Sequence, residues 1–256
     1  MMDDKSVAIC ISGCVRSFPR ESVRDGLKVL LNDFPNADFF LCLKTRDKEK
    51  KGSLMNTNAG FEGFMKTIET INRNRIVKLV LFDRCEDPKV DRSNFGSQIR
   101  TIDYCFQMAS QHKEYDYYLR YRPDFVLLRT RLPSEINDNA IYTTRKKDAT
   151  GSDQVFLISK KMKEEWWDKK IKNHSMSRFT PEYVIFKCVD NVKNGPQFYG
   201  GLLRNDKNNL LFWDNETRLH IKDDWIAMFS NKTSGIEKSF IDKIVERLNC
   251  EHLDTI

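Results

Sequence analysis

Tyr115-Asp116-Tyr117-Tyr118-Leu119-Arg120-Tyr121-Arg122-Pro123-Asp124-Phe125-Val126-Leu127-Leu128 is the stretch whose reading decides the fold. Two apolar runs of strand character flank a short polar knot ending in Asp124. Proline lacks the N–H that a central strand's ladder needs, so a strand entering at Tyr117 has to break near Pro123 and resume at Phe125. The break leaves Arg120, Arg122 and Asp124 at a strand's carboxyl end, where open α/β sheets bind ligands. A solvated, arginine-rich strand edge is the plain alternative, and the rest of the chain has to decide.

Working outward, three apolar runs precede this stretch and each is joined to the next by a helical pattern. Val7-Ala8-Ile9-Cys10-Ile11 is continuously apolar, as strands buried on both faces are, and ends at Ser12-Gly13. A helix over about 21–31 follows, then a strand at 37–43, a polar loop at 44–59, a helix over about 61–71 and a strand at 76–82. Ile99, Ile102, Phe106 and Ala109 recur at helical spacing, which predicts a helix over about 98–112 packed by one face on the sheet. Strands alternating with helices make this an α/β protein with a mostly parallel central sheet flanked by helices.

The second half is less regular. Strands are expected at 140–144 and 153–159, helices at 160–171, 180–192 and 236–248, and short hairpins within 196–221. No repeat, low-complexity tract or linker divides the chain. The expectation is one domain over 1–256, with a nucleotide-binding half over about 1–130 and an acceptor-binding half over about 131–256.

A net charge of +6 and 31% charged residues favour anionic partners. The lysines and arginines are spread along the chain, so charge alone is the only argument for nucleic acid, and none is expected. Seven cysteines without C-x-x-C spacing imply reduced thiols rather than a disulfide framework or zinc site, and so a cytoplasmic protein. No apolar run approaches the roughly 20 residues that cross a bilayer, so no transmembrane segment is expected. The phosphate-cradling G-x-x-x-x-G-K-[ST] and G-x-G-x-x-G motifs are missing, as are G-x-S-x-G and H-E-x-x-H.

Among polar residues, Asp124 could hold a divalent cation on phosphate oxygens or anchor a neighbouring arginine. The fork of Arg120 and Arg122 suits phosphate. Asp153 could be a base, nucleophile or substrate anchor and Gln154 could bond sugar hydroxyls, although Ser152-Asp153 would serve equally as a cap. His220 is the only histidine in a strand-like context.

Four of these segments, in order, resemble a GT-A-type glycosyltransferase. Ile9-Cys10-Ile11-Ser12-Gly13-Cys14-Val15-Arg16 is similar to the "strand, S-G-x-x-R" opening of sugar transferases tied to surface polysaccharides. Tyr115 to Asp124 resembles their "Y-D-Y-x-x-R-x-R-P-D" segment, Ser152-Asp153-Gln154 their "D-Q" element, and Thr180-Pro181-Glu182 the helix start that follows it. The resemblance covers most of residues 7–190. It implies a Rossmann-like GT-A fold that moves a sugar from a UDP- or GDP-linked donor to a glycan hydroxyl, in polysaccharide or glycoconjugate synthesis. It further implies that Ser12, Gly13, Arg16, Arg120, Arg122, Asp124 and Gln154 bind the nucleotide sugar. Asp153 would be the catalytic carboxylate, with Glu182 and Asp224 as competitors for a base. Asp124 and His220 would hold Mn²⁺ or Mg²⁺.

One departure stands out: GT-A enzymes carry D-x-D at this place, and here Arg122 replaces the first carboxylate. That leaves two mechanisms open, a metal on Asp124 or arginines in the metal's stead. It also motivates the alternative of a non-catalytic nucleotide- or glycan-binding domain.

Overall fold

Every residue from Val7 to Ser12 is buried, and the run forms strand β1 (Val7–Cys14) at the centre of the molecule. The computed structural model describes residues 4–15, 17–44, 58–82, 94–145, 151–171, 198–206, 209–214, 218–220 and 253–255. After β1 come α1 (Glu21–Asp33), β2 (Asp38–Lys44), α2 (Asn58–Ile71), β3 (Ile76–Phe82), α3 (Asn94–His112) and β4 (Tyr117–Tyr121). Then follow β5 (Phe125–Thr130), β6 (Tyr142–Arg145), β7 (Gly151–Ser159) and α4 (Lys160–Met162), which continues as a π-helical segment, Lys163–Ile171. Strands β8 (Phe198–Asp206), β9 (Asn209–Asp214), β10 (Arg218–His220) and β11 (Leu253–Thr255) complete the described elements. The helices expected at 180–192 and 236–248, and most of the loop at 44–59, lie outside the described residues.

The chain is an α/β protein whose main sheet has the order β11-β3-β2-β1-β4-β7-β6. Strands β11, β3, β2, β1 and β4 run parallel; β7 joins β4 antiparallel and β6 pairs antiparallel with β7, so β6 points the same way as the parallel strands. Alternation along β1 splits its side chains between two cores. Ile9 and Ile11 join Val23, Leu27 and Leu30 of α1 and Phe64, Met65 and Ile68 of α2 on one face. Ala8 and Cys10 join Ile99, Ile102, Cys105 and Phe106 of α3 and Trp166 and Trp167 on the other. The apolar periodicity of α3 therefore has the predicted use, although the helix starts at Asn94 rather than Gln98.

The break at Pro123 has a larger consequence than a kinked strand. The chain does resume at Phe125, but in a different sheet: β5 pairs antiparallel with β8 in a second sheet of order β10-β9-β8-β5. The hairpins expected within 196–221 are strands of this sheet. A turn makes the switch, with Phe125 N–H donating to Arg122 O (3.0 Å) and Tyr121 Oη donating to Phe125 O (2.8 Å). Gly26 lets α1 lie directly on β5, since a Cβ there would stand 2.6 Å from Leu127 N. No helix among the described residues is long and apolar enough to cross a membrane.

Candidate functional site

Sheet order selects the place to look. The chain winds from β1 outward to β3 on one side, then crosses through α3 to β4 on β1's other side. Doubly wound sheets take ligands in the crevice that this reversal opens outside the strands' carboxyl ends. Here those ends are Ser12-Gly13-Cys14 of β1 and the polar knot after β4. Strand β7 runs the opposite way, so its first residues, Asp153 and Gln154, arrive at the same end. The last ladder bond, Arg122 N–H to Gln154 O at 2.9 Å, joins the two segments directly.

The two arginines have different roles. Arg122 turns on Asp124, with Nε donating to Oδ1 at 2.6 Å and Nη2 to Oδ2 at 3.4 Å. Its Nη1 also lies 4.0 Å from Asp153 Oδ2. Burial works against the charge on Arg122, but Asp124 and Asp153 outweigh it and push the guanidinium up from its ordinary value. The carboxylates of Asp124 and Asp153 are almost fully buried, and Arg122 sits between them. Gln98 of α3 donates its side-chain amide to Asp153 Oδ2, the same oxygen that Arg122 Nη1 approaches.

Arg120 sits in the interior of β4, between β1 and β7, and is 1% exposed. Burial pulls its guanidinium down to about 10, with Asp153 working in the other direction. Its Nε and Nη1 have no hydrogen-bond partner among the described residues, and neither does the fully buried Ser12 Oγ. Idle buried polar atoms cost about 1–3 kcal/mol each, and more when charged, so such a cluster calls for a ligand or water to fill it. Gly13 has φ +127°, which side chains rarely adopt, and a Cβ there would stand 3.4 Å from Pro123 Cδ and 3.8 Å from Arg120 Nη2. Glycine there lets β1's end lie close to both Pro123 and that guanidinium.

The structure thus brings together Ser12, Gly13, Arg120, Arg122, Asp124, Asp153 and Gln154. Arg16, Glu182 and Asp224 lie outside the described residues. The backbone of His220 ends β10, three strand spacings from β5 across the second sheet, roughly 14 Å at about 4.8 Å per strand. Its side chain lies outside the described residues. Gln98 escaped the sequence reading because its role depends on α3 docking over the sheet's carboxyl end. Its one signal was a polar residue in a helix whose apolar face begins at the next position, Ile99.

Do these residues fit a divalent cation? Among the described residues no three His, Cys, Asp or Glu side chains gather as a ligand set. Both oxygens of Asp124 already face a guanidinium. A hard cation wants several oxygen ligands with no positive charge beside them, and the described donor set does not meet that.

No protein-family model matches the chain, and no curated protein matches it in sequence.

Proposed function

We propose that this chain is a nucleotide-sugar-dependent glycosyltransferase of the GT-A type, acting on a glycan hydroxyl in polysaccharide or glycoconjugate synthesis. One observation carries the reading. At the crevice between β1 and β4, a glycine end, a buried arginine with idle donors and the Arg122–Asp124–Asp153 set converge on one spot. That is the composition a donor diphosphate and a reacting sugar call for.

In the transfer, the bond from the anomeric carbon to the diphosphate oxygen breaks and its electron pair leaves with the diphosphate. A bond forms from the acceptor's hydroxyl oxygen to the anomeric carbon, and the hydroxyl proton passes to a base. Arg120 and Arg122 would offset the charge growing on the leaving group. Asp153, held by Gln98 and Arg122, would be the carboxylate that serves the sugar side of the site.

Donor turnover over a panel of UDP- and GDP-sugars, with and without glycan acceptors, tests the proposal. Transfer by the wild type and its loss in Asp153→Asn is the expected result. No turnover of any donor, with nucleotide binding intact, would favour a non-catalytic nucleotide- or glycan-binding domain. The closed Arg122–Asp124 fork is the feature that supports that second reading, because it occupies the carboxylate a metal-dependent enzyme would keep open.

A further inference from the structure

We infer that Arg120 and Ser12, beside Gly13, bind a phosphate-class oxyanion directly, with no divalent cation between protein and ligand. The inference deepens the reading above by saying how the site holds a diphosphate, but it rests on the pocket and not on sugar transfer.

The geometry comes from register. Strands β1 and β4 are parallel neighbours with Cys10 opposite Arg120, so Arg120, Cys10 and Ser12 share one face of the sheet. The Arg120 side chain runs toward the strands' carboxyl ends, until Nη2 lies 3.8 Å from where a Gly13 side chain would begin. Three donors on that face, Arg120 Nε, Arg120 Nη1 and Ser12 Oγ, are buried without partners among the described residues. The rim is open: Gly13, Cys14, Arg122 and Gln154 are all partly exposed.

Charge points to what fills the pocket. Asp153 and, more weakly, Asp124 act on Arg120 through space, but the hydrogen bonds and ion pairs described for them run to Arg122 and Gln98, so the idle Arg120 donors stay open. On the sheet's inner face the thiols of Cys42 and Cys105 are pushed up by burial and stay neutral, so they supply no counter-charge to Arg120. A water could satisfy one N–H but would bring no negative charge to the guanidinium. An oxyanion brings both acceptor lone pairs and charge, and its separate oxygens can accept from an idle arginine N–H and from the serine hydroxyl. A cation placed there would face Arg120 and Arg122 at once.

The test is titration calorimetry on chelator-treated protein with UDP, GDP, uridine, guanosine, inorganic pyrophosphate and inorganic phosphate. Expected are binding of pyrophosphate and of at least one nucleoside diphosphate in mutual competition, nucleosides at least tenfold weaker, and less than twofold change on adding Mn²⁺. Arg120→Gln should lose at least tenfold, Arg120→Lys should recover part of it, and Ser12→Ala should lose two- to fivefold. Ser12→Ala removes only one hydroxyl and remains informative if Arg120→Gln fails to fold. Pyrophosphate binding without nucleotide binding would support the pocket and identify a free anion as its ligand, while sinking the glycosyltransferase reading. Binding that appears only with Mn²⁺, absence of binding by every anion, or wild-type affinity in both Arg120→Gln and Ser12→Ala would overturn the inference.

Discussion

Replacing Asp124 with asparagine should destabilise the fold by about 3 kcal/mol, separately from any effect on activity. Asp124 is 1% exposed and the Arg122 side chain 17% exposed, so this is a buried pair rather than a surface one. Removing one partner of a buried pair costs roughly 3–5 kcal/mol, against about 0–1 for an exposed pair. Two features set the figure at the lower end. Arg122 keeps some access to solvent, and Asp153 at 4.0 Å remains as a second counter-charge. For a chain of this size about 3 kcal/mol corresponds to a fall in Tm of roughly 6–12 °C. Urea unfolding of wild type, Asp124→Asn, Arg122→Met and the double variant measures it. Because the double variant leaves no unpaired guanidinium facing a neutral amide, its loss should fall short of the two single losses combined by about 2–3 kcal/mol. An Asp124→Asn protein within about 0.5 kcal/mol of wild type, or additivity within the same margin, would refute the claim that the turn after β4 is held by this fork.

Anion affinity should fall as pH rises through about 10, by roughly tenfold per unit above it, because Arg120 then loses the proton that makes it a cation. The same group has the opposite effect on stability: its buried charge opposes folding below about 10, and that opposition fades as pH rises from there toward arginine's higher ordinary value. Arg120→Gln should abolish the affinity step; an unchanged alkaline profile in that variant would assign the titration to a group other than Arg120. Gly13→Ala should cost about 1–3 kcal/mol from its φ of +127° and weaken pyrophosphate binding, seen by thermal melts and calorimetry; a neutral variant would mean that the turn relaxes freely. Gly26→Ala gains about 1 kcal/mol of helix propensity but drives a Cβ to within 2.6 Å of Leu127 N, so a net loss of about 1–2 kcal/mol is expected. A stabilised Gly26→Ala protein would contradict the close approach of α1 to β5.

What could be read from the sequence was local, and what could not depended on distant partners. The apolar run at β1, the periodicity of α3 and the break at Pro123 each announce themselves within a dozen residues. That β5 leaves the main sheet is decided by β8, more than 70 residues downstream, and no pattern inside Phe125–Thr130 encodes it. The meeting of Asp153 with Arg122 likewise needs β7 to add antiparallel to β4. The burial of Arg120 is the telling case. Period-two alternation groups it with Arg122 as one charged face, yet the two arginines end in unlike surroundings. Arg122 stands beyond the last residue of β4, where the turn brings Asp124 within reach. Arg120 stands inside a strand bordered by β1 and β7 and covered on its own face by α3, so its side chain has no route to solvent except along the strand toward Gly13. A cation in such a position is costly to the fold unless something at the strand's end answers it. Asp153 and Asp124 offset part of that cost through space, and the Nε and Nη1 donors of Arg120 that remain idle are the ones the proposed anion would satisfy.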